Sequence, residues 1–207
     1  MNVYPVSRYA TSRTKFLWEW LLALFLSVIS LPVFCVCALC ILSDDGPPIF
    51  FRQTRVGKNH RLFSIVKFRS MRAAAGPVIT SGHDVRITGS GRFLRRSKLD
   101  ELPQLWNVLK GDMGLVGPRP EVPQFVAPQS PVWSAVLRVR PGISGVASLH
   151  YRNEAAVLAE ATEPIAYYRE TILPAKLVLD LHYLETCSFL GDLRLLWETG
   201  TSILPPK

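Results

Sequence analysis

Cysteine is scarce in this chain and poorly placed for chemistry. Four occur in 207 residues: Cys35, Cys37 and Cys40 lie inside an uncharged apolar run, and Cys187 is isolated in the C-terminal third. A zinc site needs polar access and a closed set of thiolate or imidazole ligands, which a hydrocarbon-facing stretch does not offer. Cysteine there behaves as a small hydrophobe, and the absence of a disulfide framework fits a domain facing the cytoplasm. Internal repeats and low-complexity tracts are also missing. Gly89-Ser90-Gly91 lacks the strand–glycine–helix context of a nucleotide fingerprint, so it reads as a turn. Acidic residues are outnumbered, 16 against 24 Lys and Arg, for a net charge of +8 and a pI of about 9.6. That balance favours anionic partners, whether lipid head groups, nucleic acid or phosphorylated metabolites. Nucleic acid is set aside, because the basic residues come without a recognition helix or interleaved aromatics.

From Trp20 to Leu42 there is no charged residue, a length sufficient for a bilayer-spanning helix. Pro32 stands near the middle and predicts a kink, since an internal proline removes one backbone hydrogen bond and clashes with the preceding turn. Ser30 lies two residues earlier, where it can cap the broken ladder. Arg8, Arg13 and Lys15 precede the run, and Arg52, Arg55, Lys58 and Arg61 follow it. A simple span should show charge asymmetry between its flanks. Basic residues at both ends instead suit a kinked helix that enters and leaves on one face, with an ordinary span and a signal peptide as the alternatives. No small-residue cleavage site follows the run.

Beyond the turn-rich stretch Asp44 to Pro48, Ile49-Phe50-Phe51 and Leu62 to Val66 predict a hairpin around Gly57-Lys58-Asn59, with Lys67 and Arg69 emerging from the second strand. Residues 73–90, rich in small and polar types, predict a mobile loop. His83 and Asp84 within it read as loop residues more readily than as a metal pair. Pro164 and Pro174 are expected to interrupt the amphipathic helix of the C-terminal third, and Phe189 to Trp197 to form a further short helix.

The most informative segment is Arg92 to Pro120, RFLRRSKLDELPQLWNVLKGDMGLVGPRP. Adjacent carboxylates, Asp100 and Glu101, lie between Arg92, Arg95 and Arg96 on one side and Arg119 on the other. Guanidinium forks match phosphate oxygens bidentately, and a carboxylate among them can hold a divalent metal that neutralises phosphate charge or can itself attack phosphorus. The same carboxylates also suit a helix cap, either as a capping box from Ser97 to Asp100 or with Pro103 at the first helical position. The dyad helix is expected from about Leu102 to Lys110, with Gly111 as its left-handed stop and Leu102, Leu105, Trp106 and Leu109 along one face. Gly117-Pro118-Arg119-Pro120 is a stiff turn able to hold Arg119 rigidly, because each proline restricts the residue before it.

This segment resembles the core of the bacterial sugar transferases, the monotopic phosphoglycosyl transferases. GPPIFFRQTRVGKNHRLFSIVKFRSM before it, DVRITGSGRFLRRS leading into it and RPGISGV after it fit the same family. The likeness runs from about Gly46 to Val146 and weakens beyond. It implies an α+β, predominantly helical fold: a basic tail over residues 1–15, a re-entrant membrane helix over 16–42 bent at a serine-proline element, and a cytoplasmic catalytic domain over 43–207 with a short β-hairpin. Here the element reads Ser30-Leu31-Pro32, with one residue interposed. The resemblance further implies transfer of a sugar-1-phosphate from a nucleoside diphosphate sugar to polyprenyl phosphate at the inner (cytoplasmic) membrane of a bacterium. Asp100 would be the nucleophile, Glu101 a metal ligand or base, Mg²⁺ the cofactor bound by both, and Lys67, Arg95, Arg119 and Arg140 the phosphate-binding residues. The alternative is a catalytically silent membrane-surface adaptor. The sugar, the nucleotide base and the oligomeric state are not legible.

Overall fold

The structure, a computed structural model, describes residues 4–72 and 84–202. Two helices open the chain, α1 (Arg13–Ile29) and α2 (Leu31–Asp45), bent by 61° at Ser30. Ser12 caps α1, its Oγ accepting from Lys15 N at 3.0 Å. Ser30 N–H still donates to Leu26 O, and Pro32 falls in the first turn of α2, where a missing N–H removes no intrahelical bond. The interposed Leu31 therefore leaves the break at the serine and puts the proline just past it. Among the described residues no single helix is long and apolar enough to cross a membrane; the two helices of this bent pair reach that length and apolarity only together.

The two ends of the pair return to the same domain. At the start of α1, Lys15, Glu19 and Ala23, spaced four apart, are buried against it. At the end of α2, Asp44 Oδ2 accepts from Ser90 N at 2.6 Å, and Asp45 pairs with Arg69 at 3.2 Å. Between these ends the apolar side chains of Phe25, Val28, Ile29, Leu31, Val36 and Leu39 are exposed.

Strands β1 (Phe50–Val56) and β2 (Leu62–Phe68) pair antiparallel as expected and extend further, with Arg55 opposite Phe63 and Phe51 opposite Lys67. Asn59 and His60 make the turn at positive φ. Residues 73–83, most of the expected loop and His83 with it, lie outside the described residues. Asp84 is paired with Arg86 at 2.6 Å. Gly89-Ser90-Gly91, read as a turn, instead opens helix α3 (Gly89–Arg96). Thr88 Oγ1 caps it by accepting from Gly91 N at 3.0 Å. A Cβ on Gly91 would lie 2.0 Å from Ser70 O, so only glycine lets α3 approach the chain that leaves β2.

A 3₁₀ turn (Leu99–Gln104) carries the dyad into the short helix α4 (Leu105–Leu109), and Gly111 ends it at φ 81, the left-handed stop expected from sequence. Strands β3 (Gly114–Val116) and β4 (Gly142–Ser144) form a parallel pair that the sequence pattern did not announce, with α5 (Pro131–Val136) between them. Helices α6 (Val146–His150), α7 (Glu154–Glu160), α8 (Pro164–Tyr167), α9 (Leu173–Thr186) and α10 (Phe189–Ser202) complete the domain. Pro164 starts α8, but Pro174 does not interrupt its helix. A π-turn over Tyr168–Ile172 joins α8 to α9, and the widened turn leaves room for a residue that cannot donate.

The main core gathers Ile65, Val108, Leu115, Val116, Trp133 and Leu184 between hairpin, α4, the parallel pair and α9. A smaller one joins Cys37 and Ile41 of α2 to Phe68 and Leu94, with Leu99 and Leu102 of the dyad turn packed on it. The carboxylates are thereby fixed relative to the apolar helix pair. Of the predicted α4 stripe, Leu105 is buried and Leu102 and Leu109 are half-buried, whereas Trp106 is exposed.

In α9, burial pushes the Asp180 carboxyl up to about 7, against the opposing pull of Lys176. In the unfolded chain it ionises near pH 4, so folded stability falls as pH rises from about 4 to about 7 and then levels off. Asp180→Asn removes this dependence: Tm should rise at pH 8 and hardly change at pH 4, read by thermal melts across that range. A Tm difference independent of pH would show that the carboxyl ionises as freely in the fold as outside it.

Candidate active site

The site is assembled from three segments. The first is β2, in which Phe63, Ile65 and Lys67 share the inward face because strand side chains alternate. Lys67 thus follows two core residues into the interior. The second is the dyad turn. Its geometry differs from the expected helix start: Lys98 sits in the left-handed region (φ 56, ψ 12), which breaks the chain away from α3. Ser97 Oγ turns back to Phe93 O at 2.8 Å and Leu94 O at 3.2 Å, closing α3, so the capping box with Asp100 is not made. Pro103 lies within the 3₁₀ turn and not at a first helical position. The third is Gly117-Pro118-Arg119-Pro120. Arg55 Nη1 donates to Pro120 O at 2.9 Å, and Val56 N–H donates to Glu121 O at 2.9 Å, so β1 staples this turn from below.

Glu101 is where the segments meet. Its Oε1 lies 2.8 Å from Lys67 Nζ and 2.5 Å from Arg119 Nη2, and its Oε2 accepts from Arg119 Nη1 at 3.4 Å. Burial works to raise this carboxyl, but Arg119 and Lys67 together outweigh it and hold Glu101 well below the usual carboxylate range. Glu101 in turn raises the Arg119 guanidinium, while burial lowers the Lys67 ammonium against the pull of Glu101. Asp100 is the opposite case. It is 9% exposed, its Oδ1 is buried without a hydrogen-bond partner among the described residues, and burial raises its pKa with Lys67 opposing and Glu101 adding to the rise. Two neighbouring carboxylates are thus driven apart, one a neutralised fixed anion and the other short of solvation and of partners.

Arg95 is placed differently. Its Nη1 lies 3.1 Å from Met71 Sδ and it forms no ion pair among the described residues, although its charge still acts on Asp100. Arg69 is consumed by structure: it donates to the carbonyls of Asp45, Gly46 and Pro47, which closes the exit from α2. Arg140 is not brought to the dyad. Its Nε donates to Gly111 O at 3.1 Å and its guanidinium stacks 4.2 Å from the Phe16 ring centroid, so the segment leading into β4 carries it to the base of α1. Ser30 and Pro32 lie at the bend of the helix pair.

Sequence reading missed four residues that shape the site. Arg55 holds the Arg119 turn; its strand parity with Gln53, whose Oε1 it binds at 2.7 Å, was the available signal. Asn107 pins α4 to β2, accepting from Val66 N at 3.0 Å and donating to Ser64 O at 2.8 Å. Gln104 is wholly buried with neither amide atom partnered, on the same turn as Asp100. Glu121 accepts from Tyr168 OH and lies 3.9 Å from Arg55. Nothing local in the sequence marks these last three.

Among the described residues no three His, Cys, Asp or Glu converge as a self-sufficient metal cage. Mg²⁺ needs less: one or two carboxylates with substrate phosphates and water complete its shell. The unpartnered Oδ1 of Asp100 beside the anionic Glu101 fits that requirement.

Comparison with known proteins identifies the family. The family described as bacterial sugar transferase matches residues 10–205. The chain is 34% identical to the UDP-glucose:undecaprenyl-phosphate glucose-1-phosphate transferase of Caulobacter vibrioides, over 97% of this chain and 73% of that protein. It is 36% identical to the Escherichia coli protein of the same name, over 86% of this chain and 37% of the relative. To the UDP-N-acetylgalactosamine-undecaprenyl-phosphate N-acetylgalactosaminephosphotransferase of Aeromonas hydrophila it is 36% identical, over 86% of this chain and 41% of the relative. It spans less than half the length of these last two. The match covers the divergent C-terminal third as well as the dyad, and the chain belongs to the bacterial sugar transferase family.

Proposed function

We propose that the protein transfers a sugar-1-phosphate from a UDP-sugar to undecaprenyl phosphate, with Asp100 as the nucleophile. The observation that carries this is the divided dyad. Glu101 is paired through Oε1 with Lys67 and Arg119, while among the described residues Asp100 keeps an oxygen with no partner. A weakly solvated carboxylate is the better nucleophile, and an attack that yields a covalent intermediate splits one displacement into two easier ones. In the first step an Asp100 oxygen bonds to the β-phosphorus, the bridging bond to the α-phosphate breaks, and UMP leaves with the electron pair. In the second an oxygen of the lipid phosphate attacks the same phosphorus and releases the carboxylate. Lys67 and Arg119, already held by Glu101, present their remaining N–H groups to the phosphate oxygens. Arg95, without an ionic partner among the described residues, can join them, whereas Arg140 stabilises the base of α1. Glu101 orients the two cations and helps hold Mg²⁺; at so low a pKa it is unsuited to act as a base. Mg²⁺, when bound, neutralises charge on the diphosphate. A silent adaptor has no use for such a pair.

The acceptor is lipid, so the site must lie at the bilayer surface. Both ends of the bent pair are fastened to the catalytic domain and only its middle is apolar and exposed, which supports a re-entrant hairpin on the cytoplasmic leaflet. Single cysteines at Thr11 and Asn59, in a background without native cysteines, should both react only with a reagent added to the cytoplasmic side. Periplasmic labelling at Thr11 would establish a true span. The reaction itself is tested by incubating the detergent-solubilised protein with Mg²⁺, undecaprenyl phosphate and a panel of UDP-sugars. UMP release dependent on one donor is expected, and none across the panel would overturn the assignment.

A further inference from the structure

A buried polar cluster outside the dyad lies at the base of α1, and its members have no role in the chemistry above. Lys15 Nζ pairs with Glu19 Oε1 at 2.9 Å and with Asp192 of α10. Asp192 accepts also from Tyr183 OH at 2.7 Å and from Tyr9 OH at 3.0 Å, and Trp18 Nε1 donates to Tyr9 OH. Glu19 and Asp192 are 3% and 0% exposed. Burying two carboxylates around one ammonium is costly for stability alone, and an apolar substitute often serves as well. One contact distinguishes the cluster from a simple staple. Glu19 Oε1 also accepts from Val116 N at 3.0 Å, the last residue of β3. The chain then runs directly through Gly117 and Pro118 to Arg119. Gly114 is matched to this contact, since a Cβ there would lie 2.5 Å from Glu19 Oε2.

We infer that Glu19 is a positioning residue for the transfer reaction: by binding the end of β3 it sets where the Arg119 turn stands relative to the membrane helix. Glu101 and Arg55 hold the turn from the domain side, and Glu19 holds it from the anchor. The short stiff link makes the coupling effective, because two prolines flank Arg119 and leave little slack between Val116 and the guanidinium. The inference rests on the sugar-phosphate transfer reading.

The test is a set of double-mutant cycles on donor-dependent UMP release by the full chain. Glu19→Ala should lower donor kcat/KM by about tenfold, as expected for a charge-assisted hydrogen bond lost at a positioning site. Glu19→Gln, whose amide oxygen can still accept from Val116 N, should stay within about threefold. Gly114→Ala keeps every charge but displaces Glu19; it should reproduce the Glu19→Ala loss, and it carries the test if that variant does not fold. In an Arg119→Ala background Glu19→Ala should add less than about threefold, because coupled residues are not additive. Penalties that multiply in full, or a Glu19→Gln loss as large as that of Glu19→Ala, would overturn the inference while leaving the transfer reading intact. A wild-type protein that releases no UMP from any donor would overturn both.

Discussion

Asp100→Asn is expected to abolish turnover, lowering UMP release by at least about a thousandfold, or ~4 kcal/mol of transition-state stabilisation. An amide has no anionic oxygen to offer phosphorus, and its size is almost unchanged. Among the described residues the native Oδ1 has no hydrogen-bond partner to lose, so folding and membrane association should survive; replacing a carboxyl whose pKa burial raises with a neutral amide should even leave the melting temperature unchanged or slightly higher. This combination separates chemistry from structure. Near-normal UMP release by Asp100→Asn in the presence of acceptor would show that the carboxylate does not attack phosphorus. Glu101→Gln should also be severely impaired, but for another reason: it leaves Lys67 and Arg119 without the anion that aligns them, and its melting temperature should fall.

Arg119→Ala is expected to lower kcat/KM by about ten- to a hundredfold, the ~1.5–3 kcal/mol of a charge-assisted hydrogen bond. Arg119→Lys should restore only part of this, since an ammonium cannot both pair with Glu101 and present a planar fork to phosphate. The pH profile provides a second readout. Burial raises the Glu101 carboxyl and is outweighed in the native site by Arg119 and Lys67; with Arg119 gone, burial is opposed by Lys67 alone and the pKa rises. Activity that depends on ionised Glu101 is present above that pKa and lost as pH falls through it, so the acid limb of kcat/KM should move to higher pH in Arg119→Ala. An unmoved acid limb would mean that Glu101 is not the group being titrated.

Much of the architecture is written in local chemistry. The uncharged run from Trp20 to Leu42 with Ser30 and Pro32 inside it specifies a broken apolar helix, because composition and a missing N–H act locally. The hairpin follows from alternation and turn residues, and the end of α4 from a glycine at positive φ. The dyad and Arg119 are likewise visible as residue types chemistry would select. Two local readings failed for one shared reason. Gly89-Ser90-Gly91 looks like a turn but is helical because Thr88 caps it and Ser70 demands a small residue at Gly91. Ser97 looks like a cap for the dyad but closes the preceding helix because Lys98 turns left-handed. In each case a contact with residues outside the motif as first read, Ser70 for the glycines and Phe93 and Leu94 for Ser97, goes with the conformation that forms.

The amino-acid sequence by itself determined the family, the broken apolar helix and the pair of carboxylates, since each is a property of residues near one another along the chain. Only the tertiary structure decided which carboxylate is free. Lys67 reaches Glu101 from 34 residues away and Arg119 from 18, which gives Glu101 its counterions in a buried site where charges are weakly screened, while Asp100 Oδ1 has no hydrogen-bond partner among the described residues. The same holds for Arg140, whose place in a basic turn suggests phosphate but whose guanidinium packs on Phe16 and Gly111. Charge type is encoded locally, whereas the partner of a charge depends on which distant segments the core brings together.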